Sequence, residues 1–151
     1  MTDKSSEKNI TVNRKAQHEY FILQRFEAGI VLLGSEVKSA RQNKVSLVDS
    51  YAVVENGEVW LYNTNIALYD QASINNHDTV RKRKLLLNKS EIRKLIKGTA
   101  EKGNTIIPLR VYFKEGKVKV EIGLATGKKK YDKREDIAKR DFNRELQRRL
   151  K

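Results

Sequence analysis

Residues 109–122 read LRVYFKEGKVKVEI, and this stretch decides the fold because it carries the clearest strand pattern in the chain. Side chains of a strand alternate between the two faces of a sheet. With 115–116 as a two-residue turn, the alternation places one apolar set together: Leu109, Val111, Phe113, Val118, Val120 and Ile122. The same turn pairs residues on the other face: Arg110 with Glu121, and Tyr112 with Lys119. We predict a hairpin with a basic and aromatic surface over an aliphatic core.

A second hairpin is predicted around Asn56-Gly57. Tight hairpin turns need two positive φ angles, which Asn and Gly adopt readily. The flanking segments 51–54 and 59–62 are rich in aromatic and β-branched residues, as strands are.

Helices are predicted at two places. Residues 88–102 begin with Asn88 as an N-cap and Glu91 three positions later, which is the pattern of a capping box, and Gly103 ends the segment. Residues 35–42 form a second, shorter helix.

Upstream, residues 20–23 and 28–33 are interpreted as two buried strands, with Gly29 and Gly34 at bends. Several short strands, two hairpins and an inserted helix favour a mainly β fold. We predict an OB-fold-like antiparallel β-barrel with a few short helices, because closure removes exposed sheet edges.

Composition narrows the function. The 151 residues hold 32 Lys and Arg against 19 Asp and Glu, a formal net charge of +13. No cysteine and two histidines are present, which excludes disulfide scaffolds and thiolate zinc sites, and we expect no metal and no cofactor. Such a charge favours a polyphosphate partner, meaning nucleic acid, over solubility alone.

Nothing in the sequence predicts a membrane protein. Residues 1–8 are polar and lack the apolar region of a signal peptide, and no apolar run approaches the roughly 18 to 20 residues that span a bilayer. We expect a cytoplasmic protein.

Three zones follow from composition: a polar lead (1–8), a barrel (9–126) and a basic C-terminal tail (127–151). The tail has 11 Lys and Arg against 5 Asp and Glu, net +6, which leaves +7 for the rest. Its apolar stripe is narrow, so we expect it to be disordered when free and helical against polyanionic RNA. A coiled-coil helix is the alternative, weakened by the absence of heptads.

An enzyme is not expected. His18 precedes Glu19 and His77 precedes Asp78, but neighbouring strand residues point to opposite faces, so neither pair is a catalytic dyad. No nucleophile elbow, phosphate-binding loop or carboxylate cluster is visible, and no catalytic residue is assigned.

Candidate RNA contacts come from three segments. Residues 13–20 hold cations and planar groups, suited either to phosphate and base contacts or to a solvated strand entrance. The run 81–84 reads RKRK, typical of a loop on a nucleic-acid surface, and gives Arg83 and Lys84 as candidates. Glu27 lies in an apolar setting and is either an exposed edge residue or an acceptor for base N–H groups.

A family resemblance joins these segments. In order, from about residue 10 to the end, the chain carries NRKA (13–16), HEY (18–20), FEAGI (26–30), GSEVKS (34–39), DSY (49–51), RKLLL (83–87), GKK (127–129) and DKR (132–134). It closely resembles the small protein B family, the SmpB or SsrA-binding proteins.

The resemblance implies an OB-like barrel that binds the tRNA-like domain of transfer-messenger RNA (tmRNA), and a tail that enters the ribosome near the small-subunit decoding centre. The implied process is trans-translation, in which stalled ribosomes are rescued and the peptide is tagged. Implied partners are tmRNA, the ribosome and, with aminoacylated tmRNA, elongation factor Tu. We expect a monomer in the bacterial cytoplasm that makes and breaks no bond. A protein that binds structured RNA without preferring tmRNA is the alternative.

Site residues are also implied by the resemblance. The positions that match tmRNA contacts are Glu27, Leu86 and Lys119, with four more expected nearby: Asn13, Arg14, Lys15 and His18. The tail positions that match ribosome function are Gly127, Lys128, Lys129, Asp132, Lys133 and Arg134. The charge pattern adds Lys130, Arg140, Arg144 and Arg148. Tyr131 is added as an aromatic able to stack, at a position where some members of the family have histidine.

Overall fold

Nine strands and three helices form in residues 7–69 and 78–128, the part of the chain that the structure, a computed structural model, describes. The strands are β1 (Glu7–Val12), β2 (Tyr20–Ile30), β3 (Val45–Ser46), β4 (Tyr51–Glu55), β5 (Glu58–Tyr62), β6 (Asn65–Ile66), β7 (Arg83–Leu86), β8 (Asn104–Lys114) and β9 (Lys117–Gly127). The helices are α1 (Arg14–Glu19), α2 (Gly34–Arg41) and α3 (Lys89–Ala100).

Both predicted hairpins are confirmed. Asn56 and Gly57 have φ of 51° and 76°, and Glu115 and Gly116 have 52° and 76°, so each turn has the two positive φ angles that match strand twist. The predicted cross-strand pairs also form: Arg110 with Glu121, and Tyr112 with Lys119.

The strands close into a barrel, as predicted. The pairing runs β8-β4-β5-β7-β2-β9 and returns from β9 to β8, so six strands form a ring. β8 is long enough to serve two neighbours on one edge, because Ile106 pairs with Ala52 of β4 while Val111 pairs with Thr11 of β1. β3 and β6 form a separate two-stranded sheet.

The prediction of two strands in 20–23 and 28–33 is wrong, because β2 is one strand of eleven residues. It pairs with β9 from Tyr20 to Gly29, and a bulge between Ile22 and Gln24 absorbs the change in register. The polar residues in its middle are accommodated on its exposed face. Only a distant partner strand makes this continuity visible.

The helices follow their caps. In α3 the Asn88 side chain accepts from the Glu91 backbone N–H, and Glu91 bonds back to Asn88, which completes the predicted capping box. The helix ends at Ala100, before Gly103 adopts a φ of 94°. α2 is one residue out of register with its prediction at each end. α1 was not predicted.

The barrel interior holds one main apolar cluster. From the first hairpin it takes Val111, Val120 and Ile122, with Phe113 and Val118 packed at its edge. Leu109 is also buried, in a smaller cluster with Ala16, Ile107 and Ala125.

Tyr112 corrects the prediction of an exposed aromatic face, because only 1% of it is accessible. The Arg110 guanidinium lies 3.9 Å from its ring centroid, and β1 runs alongside with Asn9 opposite. Its ring is therefore covered on the outer side of the sheet.

Two strands extend past the predicted zone boundaries. Glu7 and Lys8 of the lead belong to β1, and β9 continues to Gly127. Of the predicted C-terminal tail, residues 129–151 lie outside the described residues. Within 7–69 and 78–128, no helix is both long enough and apolar enough to cross a bilayer.

Candidate nucleic-acid interface

Three neighbouring strands bring Glu27, Leu86 and Lys119, three of the predicted tmRNA contacts, onto one face. Gly29 of β2 pairs with Leu86 of β7 on one side and with Lys119 of β9 on the other. Glu27 lies two residues before Gly29 and is therefore on the same face of β2, with its side chain pointing outward. Leu86 is 50% exposed. We call this surface, Glu27 with Leu86 and Lys119, the recognition end.

Glu27 is held as an anion at the recognition end. Partial desolvation disfavours its charge, but hydrogen bonds from Tyr112 and Lys114, with the positive charge of Lys119, outweigh this and lower the pKa of Glu27. The Lys114 Nζ lies 3.2 Å from a Glu27 carboxylate oxygen. Ionised at neutral pH, Glu27 can only accept hydrogen bonds, as recognition of a base amino or imino group requires.

The Tyr112 hydroxyl stays a donor. Burial raises the pKa of Tyr112 well above its ordinary value, and the neighbouring Glu27 charge raises it further. Sequence reasoning gave Tyr112 only as a surface aromatic. Its position next to Lys119 in the predicted hairpin register was the signal that links it to this site.

The cations of α1 lie elsewhere. Arg14, Lys15 and His18 are exposed on this helix. Asn13 caps it, because the Asn13 Oδ1 accepts from the Ala16 N–H at 3.2 Å. The Asn13 Nδ2 also donates to the Pro108 carbonyl at 2.9 Å, so its side chain fastens α1 to β8.

These α1 residues are not near Glu27, which corrects that expectation. Tyr20, directly after α1, pairs with Gly127, whereas Glu27 pairs with Glu121. Seven residues of strand at roughly 3.3 Å each separate the two positions by about 20 Å. The two groups therefore occupy opposite ends of β2.

The start of the C-terminal tail lies beside α1. The Lys128 Nζ donates to the Gln17 carbonyl at 3.4 Å and lies 5.1 Å from the Phe21 ring centroid. We call α1 with Gly127 and Lys128 the helix end. The other predicted tail residues, Lys129, Lys130, Tyr131, Asp132, Lys133, Arg134, Arg140, Arg144 and Arg148, lie outside the described residues.

A pocket of about 420 Å³ opens at the helix end between α1, β4 and β8. Its lining includes Lys15, Tyr20, Asp49 and Tyr51. Cationic, anionic and aromatic groups thus meet there, next to the apolar side chains of Val48 and Ile107.

Arg83 is a correction, because its side chain is fully buried and is not a surface contact. The Arg83 Nε donates to Glu36 at 2.6 Å, and its other nitrogens donate to backbone carbonyls, including that of Thr64 at 2.6 Å. The run RKRK looks uniform as sequence, but part of it forms β7. Alternation along that strand sends Arg83 inward and Lys84 outward.

Lys84 is half-buried, and its Nζ lies 3.1 Å from Glu58 on β5. It points from the same face of β7 as Leu86, two residues on. This position keeps Lys84 at the margin of the recognition end.

Glu36 is a buried charge that sequence reasoning missed. It accepts from Arg81, Arg83 and the Leu33 N–H, the last at 2.8 Å. Burial opposes its ionisation, but the Arg81 hydrogen bond and its other partners outweigh this and lower the pKa of Glu36. The pair of Glu36 and Arg83 fixes α2 to β7, and so fixes the strand that carries Leu86.

No metal centre is visible among residues 7–69 and 78–128, where no three His, Cys, Asp or Glu side chains cluster. What the described surface offers is a carboxylate acceptor, an apolar contact and cations.

Comparisons with known proteins match almost the whole chain. The family model described as "SmpB protein" matches residues 10–151. An SsrA-binding protein of Acetivibrio thermocellus is 60% identical over 148 residues, covering 98% of this chain and 96% of the relative. One of Desulforudis audaxviator is 57% identical over 142 residues, covering 94% and 93%.

A solved structure described as "tmRNA-SmpB: a journey to the center of the bacterial ribosome" contains a similar chain. The two chains share 50% identity and superpose with a TM-score of 0.67. The match covers 78% of this chain and 83% of the other.

Proposed function

The chain belongs to the SmpB family, and from this premise we propose that it binds the tRNA-like domain of tmRNA and delivers it to stalled ribosomes. It acts in trans-translation, ribosome rescue and peptide tagging, in the bacterial cytoplasm. It is an RNA-binding protein that catalyses no reaction itself.

The observation that carries this proposal is the convergence of Glu27, Leu86 and Lys119 on one face through the pairing of β7, β2 and β9. Phosphate contacts give affinity and position, whereas base contacts give specificity. Here Lys119 supplies a cation for phosphate, and Glu27 supplies an acceptor for base N–H groups. Leu86 adds an exposed apolar contact for a base or sugar.

The helix end has a different role in this proposal. Asn13 positions α1, while Arg14, Lys15 and His18 face solvent beside Lys128. Because the C-terminal tail begins there, we assign the helix end and the tail to ribosomal RNA near the decoding centre. The recognition end, about 20 Å away along β2, remains free to hold tmRNA.

Delivery needs both partners at once. The proposed assembly contains aminoacylated tmRNA, elongation factor Tu and one copy of the protein, with neither metal nor cofactor contributed by this chain. A barrel with RNA on one end and the ribosome at the other bridges the two without any bond being made or broken.

Competition binding at near-physiological salt tests the proposal. Labelled tRNA-like domain is bound to the full chain and displaced with unlabelled domain or with bulk tRNA. The proposal expects the unlabelled domain to compete far better than bulk tRNA. Equal competition by the two RNAs would identify a general binder of structured RNA instead, since phosphate attraction alone does not discriminate between them.

A further inference from the structure

A pocket of about 350 Å³ adjoins the recognition end. It lies between the end of β2, helix α2 and the β8–β9 turn. Its apolar lining is Ile30, Leu32, Val37, Leu86 and Val118. The volume falls in the range of sites that hold small organic groups, and such sites combine apolar walls with a few placed polar groups.

Gly29 makes this space. A Cβ at position 29 would lie 3.3 Å from the Leu86 Cβ and 3.5 Å from the Leu86 Cδ1. The backbone itself does not require glycine here, because Gly29 is not among the residues with positive φ. A missing side chain in a strand often marks close approach by another group.

Cations form the rim. Lys117 and Lys119 both line the pocket, and within the described residues neither has a carboxylate within 4 Å. Lys114, by contrast, is 3.2 Å from Glu27. The pocket therefore joins apolar walls to two lysines that form no ion pair with a described carboxylate, although the charge of Lys119 also acts on Glu27. Both ammonium groups can therefore contact an anion.

We propose that this pocket takes one unstacked base of the bound RNA, with the flanking phosphates on Lys117 and Lys119. This deepens the proposed function and rests on it. Proteins read RNA mainly at loops and bulges whose bases splay out and pack against side chains. A base with its phosphates carries both features that the pocket matches, an apolar face and negative charge.

The test uses the tRNA-like domain with 2-aminopurine placed, one position at a time, at its unpaired purines. Binding of the full chain raises the fluorescence at one position, because that base leaves its stack. Gly29→Val fills the pocket with a residue that strands favour. We expect this variant to lose the fluorescence rise. Its Kd for the domain should increase roughly 10-fold.

Gly34→Val is the matched control, since a Cβ at Gly34 meets nothing within 4 Å. It should keep both the fluorescence rise and the affinity. If Gly29→Val does not fold by circular dichroism, Gly29→Ala replaces it, with a smaller loss of about threefold in Kd expected from displacement of Leu86.

The outcomes separate the two proposals. A wild-type protein that prefers the tRNA-like domain, with Gly29 variants that bind and fluoresce as wild type does, overturns the base pocket and leaves the proposed function standing. A wild-type protein with no preference for the domain overturns both. If apolar peptides bound in this pocket and the RNA did not, the base pocket would be overturned. The pocket would then be assigned to a protein partner.

Discussion

The two ends of β2 differ in how firmly their side chains are held. At the recognition end, Glu27 is fixed by Lys114 and Tyr112, and Leu86 and Lys119 are placed beside it by strand register. At the helix end, the Lys15 side chain is 69% exposed, and its Nζ lies 3.9 Å from the carboxylate of the i+4 residue Glu19. Fixed groups can discriminate between RNAs, whereas exposed cations attract any phosphate. The contrast divides recognition from general attraction.

The largest expected effect is on the strand that carries Leu86. Arg83→Met leaves the fully buried Glu36 without one of its two arginine partners, and breaking a buried pair costs about 3–5 kcal/mol. The free energy of unfolding, measured in urea, should fall by that amount. Lys84→Met removes a neighbouring but accessible pair with Glu58 and should cost at most about 1 kcal/mol. Equal losses in the two variants would contradict the inward position of Arg83.

Next come the recognition contacts. Glu27→Ala and Lys119→Ala each remove a charged partner of the RNA, worth about 1.5–3 kcal/mol, so gel-shift affinity for the tRNA-like domain should fall roughly 10- to 100-fold. Lys15→Ala, at the helix end, should change that affinity by less than about threefold. If Lys15→Ala weakened binding as much as Lys119→Ala does, the division between the ends would be lost.

Salt dependence sharpens the same comparison. Each cation that neutralises one phosphate contributes close to one unit to the slope of log affinity against log salt. Lys119→Ala should lower this slope by about 1, while Glu27→Ala should leave it unchanged and reduce the preference for tmRNA over bulk tRNA. A slope change in Glu27→Ala would show that its carboxylate acts on phosphate attraction, contrary to the role assigned here.

A smaller effect concerns pH. The pKa of Glu27 in the folded protein is lowered from its ordinary 4.5, so its charge stabilises the fold above pH 4.5, and this contribution is lost as the pH falls through the folded pKa. Glu27→Gln should therefore be less stable than wild type at neutral pH, and the difference should shrink in acid. Thermal unfolding across this range measures it. If the stability difference between Glu27→Gln and wild type grew as the pH fell, the result would contradict a lowered pKa for Glu27.

The sequence predicted what depends on local chemistry. Asn56-Gly57 and Glu115-Gly116 specify their turns, and Asn88 with Glu91 specifies the start of α3, because each motif satisfies its own backbone geometry. Those turns also set the register that joins Tyr112 to Lys119.

What escaped prediction depends on distant partners. β2 is one strand because β9 pairs along it. The Arg83 side chain is buried because it forms an ion pair with Glu36, which lies 47 residues away in the sequence. The six-residue α1 has a cap but no apolar periodicity to announce it. The resemblance identified Glu27, Leu86 and Lys119. The distance between these residues and α1, however, is set by the strand pairing of the barrel and could not be predicted from the sequence.

The most direct test compares two lesions in one reconstituted system that measures both tmRNA affinity and peptide tagging on stalled ribosomes. One protein carries Glu27→Ala with Lys119→Ala, and the other ends before Asp132. We predict that the first loses tmRNA affinity, and tagging with it. The second should keep near wild-type affinity but abolish tagging. Full tagging by the truncated protein, or loss of its tmRNA affinity, would contradict the assignment of recognition to the barrel and ribosome function to the tail.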